Sequence, residues 1–581
     1  MTTGKAAPMR QRLSKLLRNE QVALNLLAVF IGAAVGYAAV GFRHLITLFQ
    51  TLFLGSGDEL LVTEDLPWFL VILGPVGGGL AVGMLLHRFS RDAAGNGIPE
   101  VIEAVAVKGG VIGWRSAWVR ALAASISIGS GGSVGREGPM VHLGSAIASL
   151  AGQRLQLSRR WMKTLVACGA AAAVAASFNT PIAGVMFSLE VILGEYGLAA
   201  FSPIVVAAVI ATVIIRAHFG NFPAFIVPEF GLVSNLEIPA YILLGVGAAV
   251  VSTAFIKLLY GFEDLYSRVP VQRQFRPALA GLLVGILGLA FPQILGTGYH
   301  ATDQALSEAL PFLLLCGILV AKILASSFCV ASGMVGGVFG PSLVIGAMYG
   351  GAFGLVAHSI FPDISSTSGA YALVGMAGVV AATQAAPISA ILMIFELTTD
   401  YHIVLPMMVS VMLATLLTKA WCGDSIYTLR LRRRGLDIRQ GQELSLLKNL
   451  EVSEVMRIDF DVVGEGMPIG RLKQILAQSR YETVFVVDGA GKLAGVVSFS
   501  DIKRVAFGSE LDDLVVAREI ASSPVHTVPK ESTLFDAFRI IDQQGHDILP
   551  VVESYDPDQV IGVITREDLI RAYNKTQIEL R

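Results

Sequence analysis

Residues 129–139 read GSGGSVGREGP, a glycine-rich turn that carries Arg136 and Glu137 between two long apolar runs. A carboxylate at membrane depth is costly, so its default reading is functional, with a partner to be named. The plainer reading is a short loop outside the membrane. A second copy of the turn bears on the choice. GREGPMVHLG (135–144) is matched by GVFGPSLVIG (337–346), each with Gly-Pro and a further Gly five residues after the Pro. In the same way FNTPIAGVMFSLE places Pro181 nine residues before Glu190, and AAPISAILMIFEL places Pro387 nine residues before Glu396. The two offsets, 202 and 206 residues, nearly agree, so one internal duplication accounts for both. Internal repeats in a polytopic chain point to a transporter or channel whose site lies where the repeats meet.

Working outward, the 581 residues are 54% hydrophobic and only 15% charged, against roughly 25% charged in a soluble protein. Apolar stretches at 24–53, 68–87, 161–194, 202–217, 237–257, 277–291, 309–330, 341–360, 370–397 and 402–421 are long enough to cross, or partly cross, a hydrocarbon core of about 30 Å. The expected class is an all-α polytopic membrane protein. Lys5, Arg10, Arg12, Lys15 and Arg18 precede the first apolar run, and Arg430, Arg432, Arg433, Arg434 and Arg439 follow the last. Positive charge at both ends of the membrane part predicts that both termini are cytoplasmic, in a cell membrane. Each basic cluster abuts a hydrophobic segment, which excludes a nucleic-acid partner. The first apolar run is too long for a secretory signal and contains Arg43 and His44. Cys168, Cys316, Cys329 and Cys422 show no paired spacing and read as buried free thiols. The nine histidines form no ligand-like cluster, so a metal site has no support.

Three Gly/Pro breaks interrupt the helical runs: GNGIP (95–99), GREGP (135–139) and GVFGP (337–341). Pro suits the first turn of a helix and Gly the tight turn before it, so each break reads as a helix start. Helix starts expose unpaired N–H groups and about half a positive charge. Unwound backbone at membrane depth survives only when buried in protein or lining an aqueous cavity. Several helix starts converging there would hold an anion without a full positive charge, loosely enough to release it. Taken singly, each break is equally well a turn between packed helices. Taken together they make Glu137 a gate, a carboxylate that occupies the anion's place and swings out when protonated.

After about residue 428 the composition changes. Residues 1–23 are read as a basic N-terminus, 24–428 as the transport domain, and 429–448 as a basic linker. The remainder is α/β and is itself duplicated: GVVSFSDI (495–502) and GVITREDL (562–569) lie 67 residues apart. The expected division is 449–515 and 516–581.

The three loops, the FNTPIAGVMFSLE helix and DSIY (424–427) occur in the order found in the CLC family of chloride channels and chloride/proton antiporters. Over roughly residues 25–430 the chain resembles that family. Its tail is similar to a pair of cystathionine-β-synthase (CBS) domains. The resemblance implies a homodimer in the lipid bilayer, with inverted repeats and one chloride pathway per subunit. It also implies roles residue by residue. Glu137 resembles the gating glutamate. Asn96, Gly97, Ile98, Arg136, Gly138, Val338 and Phe339 fall on the anion-contacting loops, with the backbone of Val338 and Phe339 facing the anion. Tyr427 resembles the tyrosine whose hydroxyl closes the inner side. Ser498, Asp501, Thr565 and Asp568 resemble the CBS positions that bind an adenine nucleotide; as a simpler alternative they are structural. Chloride is the substrate and no cofactor is required.

Two departures matter. The family's commonest first loop has Ser where this chain has Asn96, an amide that brings an N–H₂ donor and an acceptor oxygen. That leaves nitrate or fluoride preference open, although Ile98 and Pro99 argue against a fluoride type. In the helix after Pro181, many antiporters carry two adjacent acids; here Glu190 is followed by Val191. Valine cannot relay a proton, so a channel-like or weakly coupled pathway is expected, with the antiporter as the alternative. Glu190 reads as structural, and Glu195, four residues beyond Val191 on the same helical face, is the nearby acid that could substitute. A CBS-regulated cation transporter would need acidic clusters that the membrane part lacks, and an enzyme would need a nucleophile–base pair that is not there.

Overall fold

The duplication seen in the sequence extends, in three dimensions, over nearly the whole membrane part. The computed structural model describes residues 20–579 except 58–65, 90–95, 222–224, 226, 229, 231–233, 399–400, 437–446, 448–449, 480, 482, 504–511, 545–546 and 555. Gly95, the basic N-terminus and Arg439 lie outside the described residues. The chain divides into two units, Met1–Leu436 and Asp437–Arg581.

The first half of the membrane unit contains α1 (Glu20–Leu54), α2 (Trp68–Phe89), α3 (Ile98–Ala106), α4 (Trp114–Gly129), α5 (Glu137–Arg154), α6 (Arg159–Phe178), α7 (Pro181–Phe187) and α8 (Leu198–Phe219). The second contains α9 (Ile238–Arg268), α10 (Arg276–Ala290), α11 (Tyr299–Leu306), α12 (Phe312–Ser332), α13 (Phe339–Ile360), α14 (Ser368–Gln384), α15 (Pro387–Thr398) and α16 (Val404–Cys422), followed by α17 (Ile426–Arg433). Among the described residues eight helices are long and apolar enough to cross a membrane.

Two apolar stretches read as single, 161–194 and 370–397, are each two helices. Asn179 (φ 63°) and Ala385 (φ 55°) end α6 and α14 in the left-handed conformation, each two residues before a Pro. Pro cannot continue the incoming helix but can start the next one. From Leu165 on, α6 is apolar on all sides, as is α14, and such helices belong in the core. Residues 165–176 of α6 and every residue of α14 are buried. Two of the cysteines, Cys316 and Cys422, are only partly buried; Cys168 and Cys329 are fully so, and all four are free.

Contacts between the halves come in reciprocal pairs. A Cβ on Gly79 would lie 2.3 Å from the carbonyl oxygen of Pro277, and one on Gly281 would lie 2.1 Å from that of Pro75. Glycine at both places lets α2 and α10 cross backbone to backbone. Glu190 accepts the backbone N–H groups of Ile388 (3.2 Å) and Ser389 (2.8 Å) at the start of α15. Glu396 accepts those of Ile182 (2.9 Å) and Ala183 (2.7 Å) at the start of α7. Gly135 and Gly337 exchange two backbone hydrogen bonds, of 2.7 and 2.6 Å, in an antiparallel bridge. Contacts of i with j′ matched by i′ with j require a local two-fold axis. The reading of Glu190 as structural agrees with this: each acid supplies the negative charge that the other repeat's helix start lacks.

α7 continues into a π-helical turn over Ser188–Leu193, and Gly194 (φ 70°) ends it. Glu195 therefore lies beyond the helix and not on the face of Val191 as expected. The left-handed glycine ends the helix at Leu193, two residues short of Glu195.

The second unit holds two three-stranded sheets of identical order. In one, β1 (Val462–Gly464) is parallel and β3 (Leu493–Ser498) antiparallel to the central β2 (Thr483–Val487). In the other, β4 (Val528–Pro529) and β6 (Asp556–Thr565) flank β5 (Ile548–Glu553) in the same way. The lobes exchange their leading segments. Arg457 bridges to Val563 of β6, and Ser522 bridges to Val496 of β3. Val452 belongs to the core around β5, and Ala517 to the core around β2.

Candidate functional site

The bridge between Gly135 and Gly337 brings two helix starts together. Arg136 and Val338 are the N-caps, and Glu137 and Phe339 are the first residues of α5 and α13. Glu137 is therefore helical rather than part of the turn, and Pro139 and Pro341 occupy the third position. Gly97 (φ 99°) starts α3 nearby, its N–H donating to Glu100 (3.0 Å) three residues on. A Cβ on Gly138 would lie 2.3 Å from the carbonyl oxygen of Asn96 and 2.4 Å from its side-chain oxygen. Asn96, Gly97, Gly138 and Gly337 are thus one cluster, with Ile98, Val338 and Phe339 buried around it. The Phe339 ring packs on Phe178 and Phe187, with centroids 5.1 and 6.1 Å apart.

Glu137 is 1% exposed. The Gly340 N–H from the opposite repeat donates to its Oε2 at 3.2 Å, and the Tyr299 hydroxyl donates to its Oε1. Arg136 Nε is 4.0 Å from Oε1. The Arg136 guanidinium also donates to the Ser177 carbonyl at 3.1 Å and lies 5.1 Å over the Tyr299 ring. The acid of the sequence motif is thereby held among donors at the crossing of the two repeats.

Tyr427 is the second residue of α17, whose start is capped by Ser425: its hydroxyl accepts the N–H groups of Tyr427 (3.3 Å) and Thr428 (3.1 Å). α17 packs against α3. The Tyr427 ring is fully buried and, among the described residues, its hydroxyl has no hydrogen-bond partner, as is true of Asn96 Oδ1. Buried polar atoms are normally satisfied, so unpartnered atoms beside one cluster of helix starts mark a polar site.

Tyr299, Lys322, Glu100 and Arg120 went unread in the sequence, although the repeat contains them. Gly296-Thr-Gly-Tyr299 stands 201 residues after Gly95-Asn-Gly-Ile98, and Lys322 stands 202 after Arg120. Each cation is buried and secures the loop of its own half. Arg120 pairs with Glu100 at 3.3 Å, and Lys322 donates to the carbonyls of Ile294 (3.0 Å) and Gly296 (3.1 Å).

In the second unit, Ser498 and Thr565 donate to Asp501 (2.6 Å) and Asp568 (2.7 Å) three residues on, at the starts of the helices Phe499–Lys503 and Arg566–Glu579. The two acids differ beyond that. Asp568 is 4% exposed and accepts both Nε (2.8 Å) and a terminal nitrogen (2.6 Å) of Arg457. Burial alone would raise its pKa, but hydrogen bonds from Arg457 and Thr565 outweigh that and hold it below the usual carboxylate range.

The family model for voltage-gated chloride channels matches residues 78–419, and that for the CBS domain matches residues 452–508 and 517–575. The chain is 35% identical over 412 residues to a chloride channel protein described as ClcB-like from Ralstonia nicotianae, covering 70% of this chain and 96% of that one. It is 30% identical over 433 residues to the H(+)/Cl(-) exchange transporter ClcA of Citrobacter koseri, covering 72% and 91%. Among solved structures, a slow cyanobacterial Cl-/H+ antiporter matches with a TM-score of 0.64 at 27% identity, over 71% of this chain and 97% of that one. With a family model spanning more than half its length over a two-fold repeat of this kind, the chain belongs to the CLC family of chloride-transporting membrane proteins and carries a pair of CBS domains.

Proposed function

We propose that this protein conducts chloride through a pathway gated by Glu137, in a channel-like or weakly proton-coupled manner. The observation that carries the reading is the seat of Glu137: a buried carboxylate holding the Gly340 N–H and the Tyr299 hydroxyl, donors that would equally serve an anion. Protonation removes its charge and its claim on those donors, which frees them for chloride. Asn96, Gly97, Ile98, Arg136, Gly138, Val338 and Phe339 form the surround, and Tyr427, with its unpartnered hydroxyl, closes the inner side.

Coupling is weak in this reading because Val191 lies between apolar Ile192 and a Glu190 already engaged by Ile388 and Ser389. The protein works as a homodimer in the cell membrane with both termini cytoplasmic. Exposed Ile182 and Ile388 at the helix starts supply apolar surface for a second copy or lipid. An adenine nucleotide in the CBS pair would engage Ser498 and Asp501 more readily than Thr565 and Asp568, because Arg457 already occupies Asp568.

In proteoliposomes, Glu137→Gln imitates the protonated acid and is expected to raise chloride flux several-fold at neutral pH while flattening its pH dependence. Unchanged flux and an unchanged pH response would sink the gate. Uphill chloride uptake driven by a proton gradient in the unmodified protein would restore the antiporter.

A further inference from the structure

We propose that Tyr299 is a positioning residue that latches the Glu137 carboxylate in its closed pose and so sets how readily the pathway opens. This rests on Glu137 being the gate. Tyr299 is the first residue of α11, 5% exposed, and its hydroxyl donates to one carboxylate oxygen while the Gly340 N–H takes the other. With one donor on each oxygen, the carboxylate is held in a single pose.

The ring is held from several sides. Arg136 lies 5.1 Å over it, and the Phe225 ring meets it edge-on at 4.9 Å. The Gly298 turn before it (φ 81°) follows directly on the carbonyls of Ile294 and Gly296 that Lys322 holds. Lys322 thus fixes the loop, the loop fixes Tyr299, and Tyr299 fixes the carboxylate. Tyr299 also lines a small pocket with Gln50, Gln293, Thr297 and His300. The charged and titratable groups facing Glu137 among the described residues are Arg136 from its own loop, Tyr299 from α11 and Tyr427 from α17; α13 contributes only backbone. Arg136 adds a positive charge to that seat, its Nε 4.0 Å from Oε1.

The position is the repeat mate of Ile98, which can make no such bond. The latch is therefore a departure between the two halves rather than a requirement of the fold.

Tyr299→Phe keeps the ring and removes only the donor. Chloride flux in proteoliposomes at neutral pH is expected to rise several-fold, toward that of Glu137→Gln, since the carboxylate then leaves its seat more easily. In a Glu137→Gln background the same change should leave the flux where it is. If Glu137→Gln alters flux but Tyr299→Phe leaves it unmoved, the latch is overturned and the gate stands. If Glu137→Gln changes nothing, the gate itself falls. Loss of all flux in Tyr299→Phe that Glu137→Gln does not restore would also overturn the latch, because removing a latch cannot shut a gate.

Discussion

At the first helical position of two matched loops, α5 carries Glu137 and α13 carries Phe339. The caps before them, Arg136 (φ −84°, ψ −17°) and Val338 (φ −101°, ψ −4°), have nearly the same backbone. Neither cap residue bonds the helix through its side chain. What fixes the two loops is the Gly135–Gly337 bridge and the Gly-Pro that follows each helix's first residue. Once backbone alone sets a geometry, the side chains there are free to diverge. One copy became an acid held among donors; the other became an aromatic wedge packed on Phe178 and Phe187. The repeat supplies the frame, and the departures from the repeat supply the chemistry.

The sharpest way to break the comparison is at the paired glycines. A methyl on Gly138 meets the Asn96 backbone at 2.3 Å, whereas one on Gly340 finds its nearest atoms at 3.3 Å, on the side-chain tips of Glu137 and Tyr299. Gly138→Ala is expected to cost about 1–3 kcal/mol and most of the chloride flux. Gly340→Ala is expected to leave a folded protein with altered gating. Equal loss of monodisperse protein and flux in both variants would show that the halves are constrained alike. A smaller effect is expected at Asn96, whose repeat mate is Thr297. Asn96→Ser exchanges an amide for a hydroxyl beside the site, so the nitrate/chloride permeability ratio should shift while transport persists. An unmoved ratio would place Asn96 off the pathway.

The smallest effect tests the same lesson in the CBS lobes, where Asp568 has Arg457 and Asp501 has only its own Ser498 and neighbouring backbone among the bonds described. The folded-state pKa of Asp568 is depressed, so its contribution is present above the unfolded value of about 4 and is lost as pH falls through the folded value. Asp568→Asn should lower the thermal midpoint of the 437–581 unit by several degrees at pH 7, and by progressively less below about pH 4. Asp501→Asn should cost less at pH 7. An equal loss for both would make the Arg457 pair irrelevant to stability.

The duplication was legible because Gly-Pro and Pro…Glu are backbone signals that survive divergence of everything between them. Those signals located three loops, the gate candidate and the two structural acids. Tyr299 escaped because its loop, Gly296-Thr-Gly-Tyr, lacks the Pro that flagged Gly95-Asn-Gly-Ile-Pro, and its partner is 162 residues away. Carrying the repeat offset of 201–202 residues along the chain would have found it, and Lys322 with it. The π-helical turn around Val191 was beyond reach, since a run of apolar residues looks alike at 3.6 or more residues per turn. So was the exchange of leading segments in the tail, because edge pairing over such distances leaves no mark on local pattern.

The reciprocal bonds of Glu190 and Glu396 bear on how the chain is made. Glu190 leaves the ribosome 198 residues before Ile388, and until then its carboxylate has none of its backbone donors from α15. The start of α7 waits longer still, with Ile182 214 residues ahead of Glu396. Neither half can close its own account of backbone N–H groups, and in hydrocarbon such a debt is severe. The first half must therefore be inserted unfinished and held so during synthesis of the second, and the final structure forms only when both halves meet. A break in the chain between α8 and α9 would cost the protein its tether, but not the logic by which its two halves recognise each other.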